Sequence, residues 1–205
     1  MAEEPVKITH ANVLVVEGND DQHFFEALAT HLQSQPFQVI DIEGKTNLRA
    51  RLEAVTLSRG FAAVTSLGIS RDANADASAA FQSVCGALRA LNLPVPSRPL
   101  VPTGDQPRVT VMILPGEGAP GMLEDLCLEA VEADPAMACV QQYLECLQQQ
   151  GLALPRNLAK AKVQAFLASR PRAGLAFGIA ALAGYWPFAD DAFEQVRNFV
   201  QQIAS

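Results

Sequence analysis

Apolar positions along the first 132 residues alternate between two rhythms. Val13 to Val16 is an unbroken, mostly β-branched run stopped by the polar stretch EGNDD, which predicts a strand buried on both faces. From about Gln22 to Gln33 the spacing becomes helical, with Phe24, Phe25, Leu28 and Leu32 on one stripe. FQVIDI (37–42) predicts a second strand, ended by Gly44, and Thr46 or Asn47 offers a cap for a helix running to Ser58. FAAVTSLGIS (61–70) predicts a third buried strand, RDANAD the loop at its C-terminal end, and a helix follows from about Ala77 to Leu91. The segment 94–107, with Pro94, Pro96, Pro99, Pro102 and Pro107, is excluded from a central strand because proline has no N–H to give to a ladder. It leaves room for an edge strand around Leu100 and Val101 before the strong strand RVTVMIL. Beyond residue 121 only helical spacing remains, over 122–132, 136–150, 158–169, 175–184 and 190–203.

Strands alternating with helices imply right-handed crossovers and a parallel sheet. The expectation is a single domain over 1–205, with an α/β core at 8–132 and an all-helical C-terminal extension at 133–205. Composition agrees with a folded globule: hydrophobic residues make up 49% and charged residues 18%. A net charge of −7 argues against binding nucleic acid by broad phosphate neutralisation, so a polyanion partner would need a metal or a local basic patch. Arg49, Arg51, Arg59 and Arg71, or Arg156, Lys160, Lys162, Arg170 and Arg172, are candidates for such a patch, and solvated helix faces explain them equally well. Cys85, Cys127, Cys139 and Cys146 lack metal-site spacing and are expected to be buried thiols in a reducing cytoplasm. The N-terminus lacks the basic and apolar regions of a signal peptide, and the uncharged run 173–189 is too short for a membrane span. A cytoplasmic protein without membrane contact is expected. The run's Gly174, Gly178 and Gly184, with Leu175, Phe177, Ile179 and Leu182, suit either packing on the sheet or a homodimer contact.

Gly116, Gly118 and Gly121 spell the G-x-G-x-x-G of a dinucleotide-binding turn. That fingerprint needs a βαβ unit and an acidic residue ending its second strand. Here the downstream segment is helical and Pro120 removes a backbone N–H, so the glycines read as turn formers. No G-x-S-x-G is present, and His10, His23 and His31 all fall early, so no serine triad is legible. Tyr143 and Tyr185 are expected to be packing residues.

The carboxylates carry more. In a parallel sheet the loops after the strands converge at one edge, where ligands bind. Three such loops bear Glu17, Asp20 and Asp21; Asp72 and Asp76; and Glu117, Glu124 and Asp125. Crowded carboxylates repel one another unless a cation neutralises them, and hard oxygen ligands select Mg²⁺ or Mn²⁺. The plain alternative is that these residues are solvated or serve as helix caps, as Asp20, Asp21 and Asp76 individually allow.

VLVVEGNDDQHFF followed by LGISRDANAD resembles the Toprim domain of topoisomerases, bacterial primases and overcoming-lysogenization-defect (OLD) type nucleases. The chain is also similar to small uncharacterised bacterial Toprim-like proteins, through P-G-x-x-x-x-G-x-L-E-D-L (Pro115 to Leu126) and K-A-K-V-x-A-F-L-A (Lys160 to Ala168). The resemblance implies a Rossmann-like, mostly parallel sheet flanked by helices. It implies Glu17 as the acid/base or metal-binding glutamate and Asp72 as the first aspartate of an Asp-x-Asp pair. Asn74 stands in place of the second, with Asp76 nearby. Asp21 and Glu124 match the further acidic positions of the OLD-type pattern, and Lys160 or Lys162 its phosphate-side lysine. Two divalent ions, Mg²⁺ or Mn²⁺, held by such a set would serve an in-line phosphoryl displacement on DNA, RNA or nucleotide phosphates. Asn74 also permits the rival reading of a catalytically inactive module that works by binding a partner protein.

Overall fold

The computed structural model describes residues 7–42 and 48–205. Four strands, β1 (Asn12–Val16), β2 (Gln38–Asp41), β3 (Ser66–Asp72) and β4 (Arg108–Leu114), form one sheet in the order β2-β1-β3-β4. All three pairings are parallel, and their register sets Val13 against Gln38, Val15 against Ile69, and Asp72 against Leu114. Helices α1 (Asn19–Leu32), α2 (Leu48–Leu57) and α3 (Ala77–Ala90) make the crossovers. The chain then continues through α4 (Leu123–Ala130), α5 (Pro135–Gln149), α6 (Leu158–Ala168), α7 (Phe177–Leu182) and α8 (Glu194–Ala204).

Strand periodicity divides the interior into two cores. Val13, Val15, Leu67, Ile69, Val109, Val111 and Ile113 face α2 and α3, packing on Leu52, Val55, Val84 and Leu88. Leu14, Val16, Met112 and Leu114 face the other way, onto Phe24, Phe25 and Leu28 of α1 and onto the C-terminal helices. The chain steps from β1 to β2 on one face, then over β1 to β3 and on to β4 on the other. The connection therefore changes direction between β1 and β3, which is the position where parallel α/β sheets bind ligands.

The C-terminal helices are part of this packing. α8 crosses β1, β3 and β4, and Val196, Phe199, Val200 and Ile203, at helical spacing, are all fully buried. Four such side chains contribute gross transfer energy of roughly 6 to 12 kcal/mol. Gly68 of β3 makes the close approach possible, since a Cβ there would lie 2.2 Å from Ile203 Cδ1. α7 seats against α1, where Gly178 admits the α1 backbone and Phe177 stacks on Phe24 with ring centroids 6.2 Å apart.

Several details differ from the sequence expectation. β3 begins at Ser66 because Phe61–Ala63 forms a 3-10 turn after Gly60, whose φ is 102°. The Pro-rich segment yields no regular edge strand; it follows β4 through Leu100 N to Val111 O (2.8 Å) and a Thr103–Val109 bridge, covering that edge. Cys85 and Cys127 are buried, but Cys139 and Cys146 are exposed on α5. Tyr143 is 55% exposed rather than packed, whereas Tyr185 accepts a hydrogen bond from Arg172 N at 3.2 Å. Gly44 and the expected caps Thr46 and Asn47 lie outside the described residues. Among the described residues no helix is long and apolar enough to cross a membrane.

Candidate functional site

The change of direction between β1 and β3 places the loops after β1 and β3 side by side, and the loop after β4 closes against the second of them. Asn74, at φ 53°, exchanges two backbone hydrogen bonds of 2.7 Å with Gly121, locking the β3 loop to the β4 loop. Its side-chain Nδ2 donates to Asp72 O at 3.2 Å. Asparagine tolerates this left-handed conformation well, which gives Asn74 a backbone role whatever its side chain coordinates. Asp72 Oδ1 in turn accepts from Leu123 N at 3.1 Å, fixing the start of α4 against the end of β3.

Glu17 follows β1 and is 9% exposed, one of the few buried polar residues of the fold. Its Oε1 lies 3.1 Å from Arg71 Nε, and both side chains are nearly enclosed. Arg71 also donates from Nη1 to Ser83 Oγ of α3 at 3.1 Å. Asp20 and Asp21 occupy the first turn of α1 with different fates. Asp20 Oδ1 turns outward to accept from Gly178 N at 2.8 Å, tying α1 to α7. Asp21 turns inward. Burial chiefly, then repulsion from Asp72, Glu17 and Glu124, pushes its carboxyl from 3.8 up to about 8. Cys127, fully buried on α4, has its thiol raised well above normal, first by burial and then by the charges of Glu124 and Asp21.

Glu124, 14% exposed, faces Lys160 with Nζ 3.4 Å from Oε1, while the lysine itself is 62% exposed. Asn157 brings the two together by capping α6 at Lys160 N (2.9 Å) while its Nδ2 reaches Met122 Sδ at 3.4 Å. The structure thus gathers Glu17, Asp21, Asp72 and Glu124 into one electrostatic group beside two cations.

Other acidic residues lie apart or serve the backbone. Asp76 is exposed and caps α3 by accepting from Ala79 N at 2.9 Å. Asp125 Oδ2 accepts from Met122 N at 2.9 Å. Glu117 is exposed and meets Gln195 of α8, at 3.3 Å through Nε2, on the rim of a cavity of about 310 Å³ lined also by Pro115 and Glu129. The glycines between them act as turn formers: Gly116, Gly118 and Gly121 all have positive φ, and no βαβ unit follows. Arg170 is taken up by Asp134 (3.0 and 3.3 Å) and by the Phe166 ring, 4.3 Å from its guanidinium carbon.

Among the described residues no three His, Cys, Asp or Glu side chains stand close enough together to hold a metal ion as they are placed. The donor chemistry nevertheless suits a hard cation, because the set is all carboxylate and its central member, Asp21, is raised to about 8 by burial first and then by its neighbours' charges. Arg71 and Lys160 pull Glu17 and Glu124 toward themselves, so ligation would require these side chains to turn inward. The contact between Glu17 and Arg71 was not legible in the sequence, because it depends on the register between β1 and β3, which sets Val15 beside Ile69 two residues before each of them.

No functionally curated protein matches the chain. The fold is similar to the crystal structure of a hypothetical protein from Pyrococcus horikoshii OT3, with TM-score 0.62 and 15% identity over 97% of this chain and 95% of that one. It is also similar to the C-terminal region of the OLD protein of Xanthomonas campestris pv. campestris, with TM-score 0.51 and 14% identity over 95% and 94%. At such identities the likeness is one of fold. One family model spans the sheet, the acidic loops and every C-terminal helix, residues 11–205, and the chain accordingly belongs to the family described as a protein of unknown function, DUF3226.

Proposed function

We propose that this chain is a divalent-metal-dependent, phosphodiester-processing protein of Toprim-like, OLD-nuclease-like type, acting on nucleic acid or on smaller phosphate esters. The observation that carries the reading is the convergence of the loops after β1 and β3 where the sheet connection reverses, which brings Asp21 into the field of Asp72, Glu17 and Glu124. A structural role does not call for concentrating buried negative charge at one edge of a sheet, whereas a cation site does. The OLD protein fold supports the same reading.

Glu17, Asp21, Asp72 and Glu124 would hold Mg²⁺ or Mn²⁺, with the Asn74 amide oxygen as a neutral donor. Bound there, such an ion supplies charge neutralisation for phosphoryl oxygens and a more acidic water. The chain's own residues do the rest. Asn74 and Gly121 hold the two loops in fixed register, and the Leu123 N–H fixes one oxygen of Asp72. Glu17, at the floor, orients or deprotonates the attacking group. Lys160, exposed at the rim, is available to a substrate phosphate, which the chain's net charge of −7 would otherwise repel. Asp76 remains the cap of α3 unless it leaves Ala79 N.

The lack of a preformed ligand triad among the described residues favours a second reading, a Toprim-like module that is catalytically inactive and acts by binding a partner. One pair of experiments separates them. Calorimetric titration with Mn²⁺ should show uptake that Glu17→Ala and Asp72→Ala abolish, and absence of uptake by the wild type at millimolar metal ends the metal reading. Cleavage of plasmid or oligonucleotide by the wild type with Mn²⁺, abolished by Glu17→Gln, rules out the inactive module.

A further inference from the structure

The outer edge of the sheet is open at Ile113. Backbone groups along a strand point to alternate sides, and in β4 the odd-numbered positions point away from β3. On that side Thr103 N and Leu100 N donate to Val109 O and Val111 O at 2.9 and 2.8 Å, whereas Leu114 O turns the other way to accept from Ala73 N at 2.8 Å. Ile113 therefore directs its N–H and C=O to the outer edge as well, and among the described residues neither finds a partner there. Ile113 is only 4% exposed, and a buried backbone pair left unmet is costly. The segment that covers this edge turns aside over 97–100, where Leu100 takes φ 61°, and a cavity of about 330 Å³ occupies the space. Met112 and Ile113 both line it although their side chains face opposite cores, so the cavity opens on the strand edge itself.

Its walls divide by chemistry. Phe81, Leu100 and Met112 give an apolar surface suited to a flat ring. Arg98, exposed at the mouth, makes no hydrogen bond or ion pair among the described residues. Glu117, which also lines the cavity, is held by Gln195 Nε2 at 3.3 Å. We propose that this cavity binds a small molecule with an amide-like edge, offering an acceptor to Ile113 N–H and a donor to its C=O, a flat apolar body, and an anionic group for Arg98. A nucleobase with its phosphate and an N-acylated aromatic amino acid share that chemistry. An extended peptide strand does not fit, because Leu100 already occupies Val111 O on one side and Pro115 on the other has no N–H, which leaves room for a single pairing. The cavity uses none of the carboxylates gathered around Asp21, so this binding stands apart from the metal-dependent reading.

Nuclear magnetic resonance of the isotope-labelled full chain tests the proposal, with uridine monophosphate and N-acetylphenylalanine as separate titrants. At least one of them should move the Ile113 amide signal saturably, together with those of Leu100 and Gly118, and the one that does so identifies the source of the ligand chemistry. Arg98→Gln should weaken that ligand about tenfold, the effect of losing one charge-assisted hydrogen bond. The same substitution should leave unchanged the affinity for the uncharged counterpart, uridine or N-acetylphenylalaninamide. An exposed arginine without a partner holds nothing in place, so the variant keeps the fold. An Ile113 amide that stays fixed with both titrants at millimolar concentration overturns the proposal, and so does equal affinity of the wild type and Arg98→Gln for the anionic ligand. Either result leaves the Mn²⁺ titration of the acidic loops to be decided on its own.

Discussion

Replacing Asp21 by asparagine should make the protein more stable, and increasingly so as the pH rises. The carboxyl is displaced from 3.8 to about 8, chiefly by burial and then by the charges of Asp72, Glu17 and Glu124. Between those values the unfolded chain is ionised at this position while the folded chain keeps the proton. Folding then takes up a proton, so stability falls as pH rises, by up to about 1.4 kcal/mol per pH unit. Below 3.8 both states are protonated and nothing is lost; above 8 both are ionised and the whole penalty is present. The nominal penalty is roughly 5 to 6 kcal/mol, and solvent reaching a half-buried side chain, with relaxation of its neighbours, reduces it to about 2 to 3 kcal/mol. Asparagine keeps the shape without the charge. Asp21→Asn should therefore match the wild type near pH 4 and exceed it by about 2 to 3 kcal/mol at pH 8, or roughly 5 to 10 °C in melting temperature. Urea denaturation in chelator from pH 4 to 9 measures this directly. Parallel pH profiles for the two proteins would refute both the burial of Asp21 and its place among the other carboxylates.

Three further outcomes test the packing that positions the site. Gly178→Ala should destabilise by about 2 to 3 kcal/mol in chemical denaturation, since the new Cβ would lie 2.6 Å from Asp20 O, a backbone atom that cannot rotate away; a loss below about 0.5 kcal/mol would show that α7 is not seated on α1. Gly68→Ala should cost about 1 to 3 kcal/mol by collision with Ile203 Cδ1 and Cγ1, and adding Ile203→Val, which removes the nearer of these atoms, should recover part of the loss in a thermal melt. Arg170→Ala should cost about 1 kcal/mol at pH 7 through the lost Asp134 pair and Phe166 contact. Asp134 is held below its ordinary 3.8, first by Ala136 N–H and then by Arg170. The stabilisation is therefore present above that pH and lost as pH falls through the folded value, and the gap between wild type and Arg170→Ala should narrow near pH 3.

What the sequence determined by itself was whatever depends on neighbours along the chain. The apolar run of β1, the alternation to α1 and the helical spacing of the last third are set by local burial and backbone preference, and the elements stand within a few residues of their expected bounds. The parallel sheet followed from the order of those elements, and the glycines of 116–121 read as turn formers for the same local reason. Tertiary structure alone decided which carboxylates meet. Asp20 and Asp21 are adjacent and of the same residue type, yet the 100° between successive helical positions sends one to Gly178 and the other toward Asp72, Glu17 and Glu124. Asp76, Asp125 and Glu117 carry the same charge as Glu124, but helix-start N–H groups capture the first two and Gln195 the third. Arg71 shows the same limit, because its partner is fixed by the register between β1 and β3, and register is a property of two strands together. Charge type is written in the chain; the distances that turn charge into a site exist only after strands more than 50 residues apart are laid side by side.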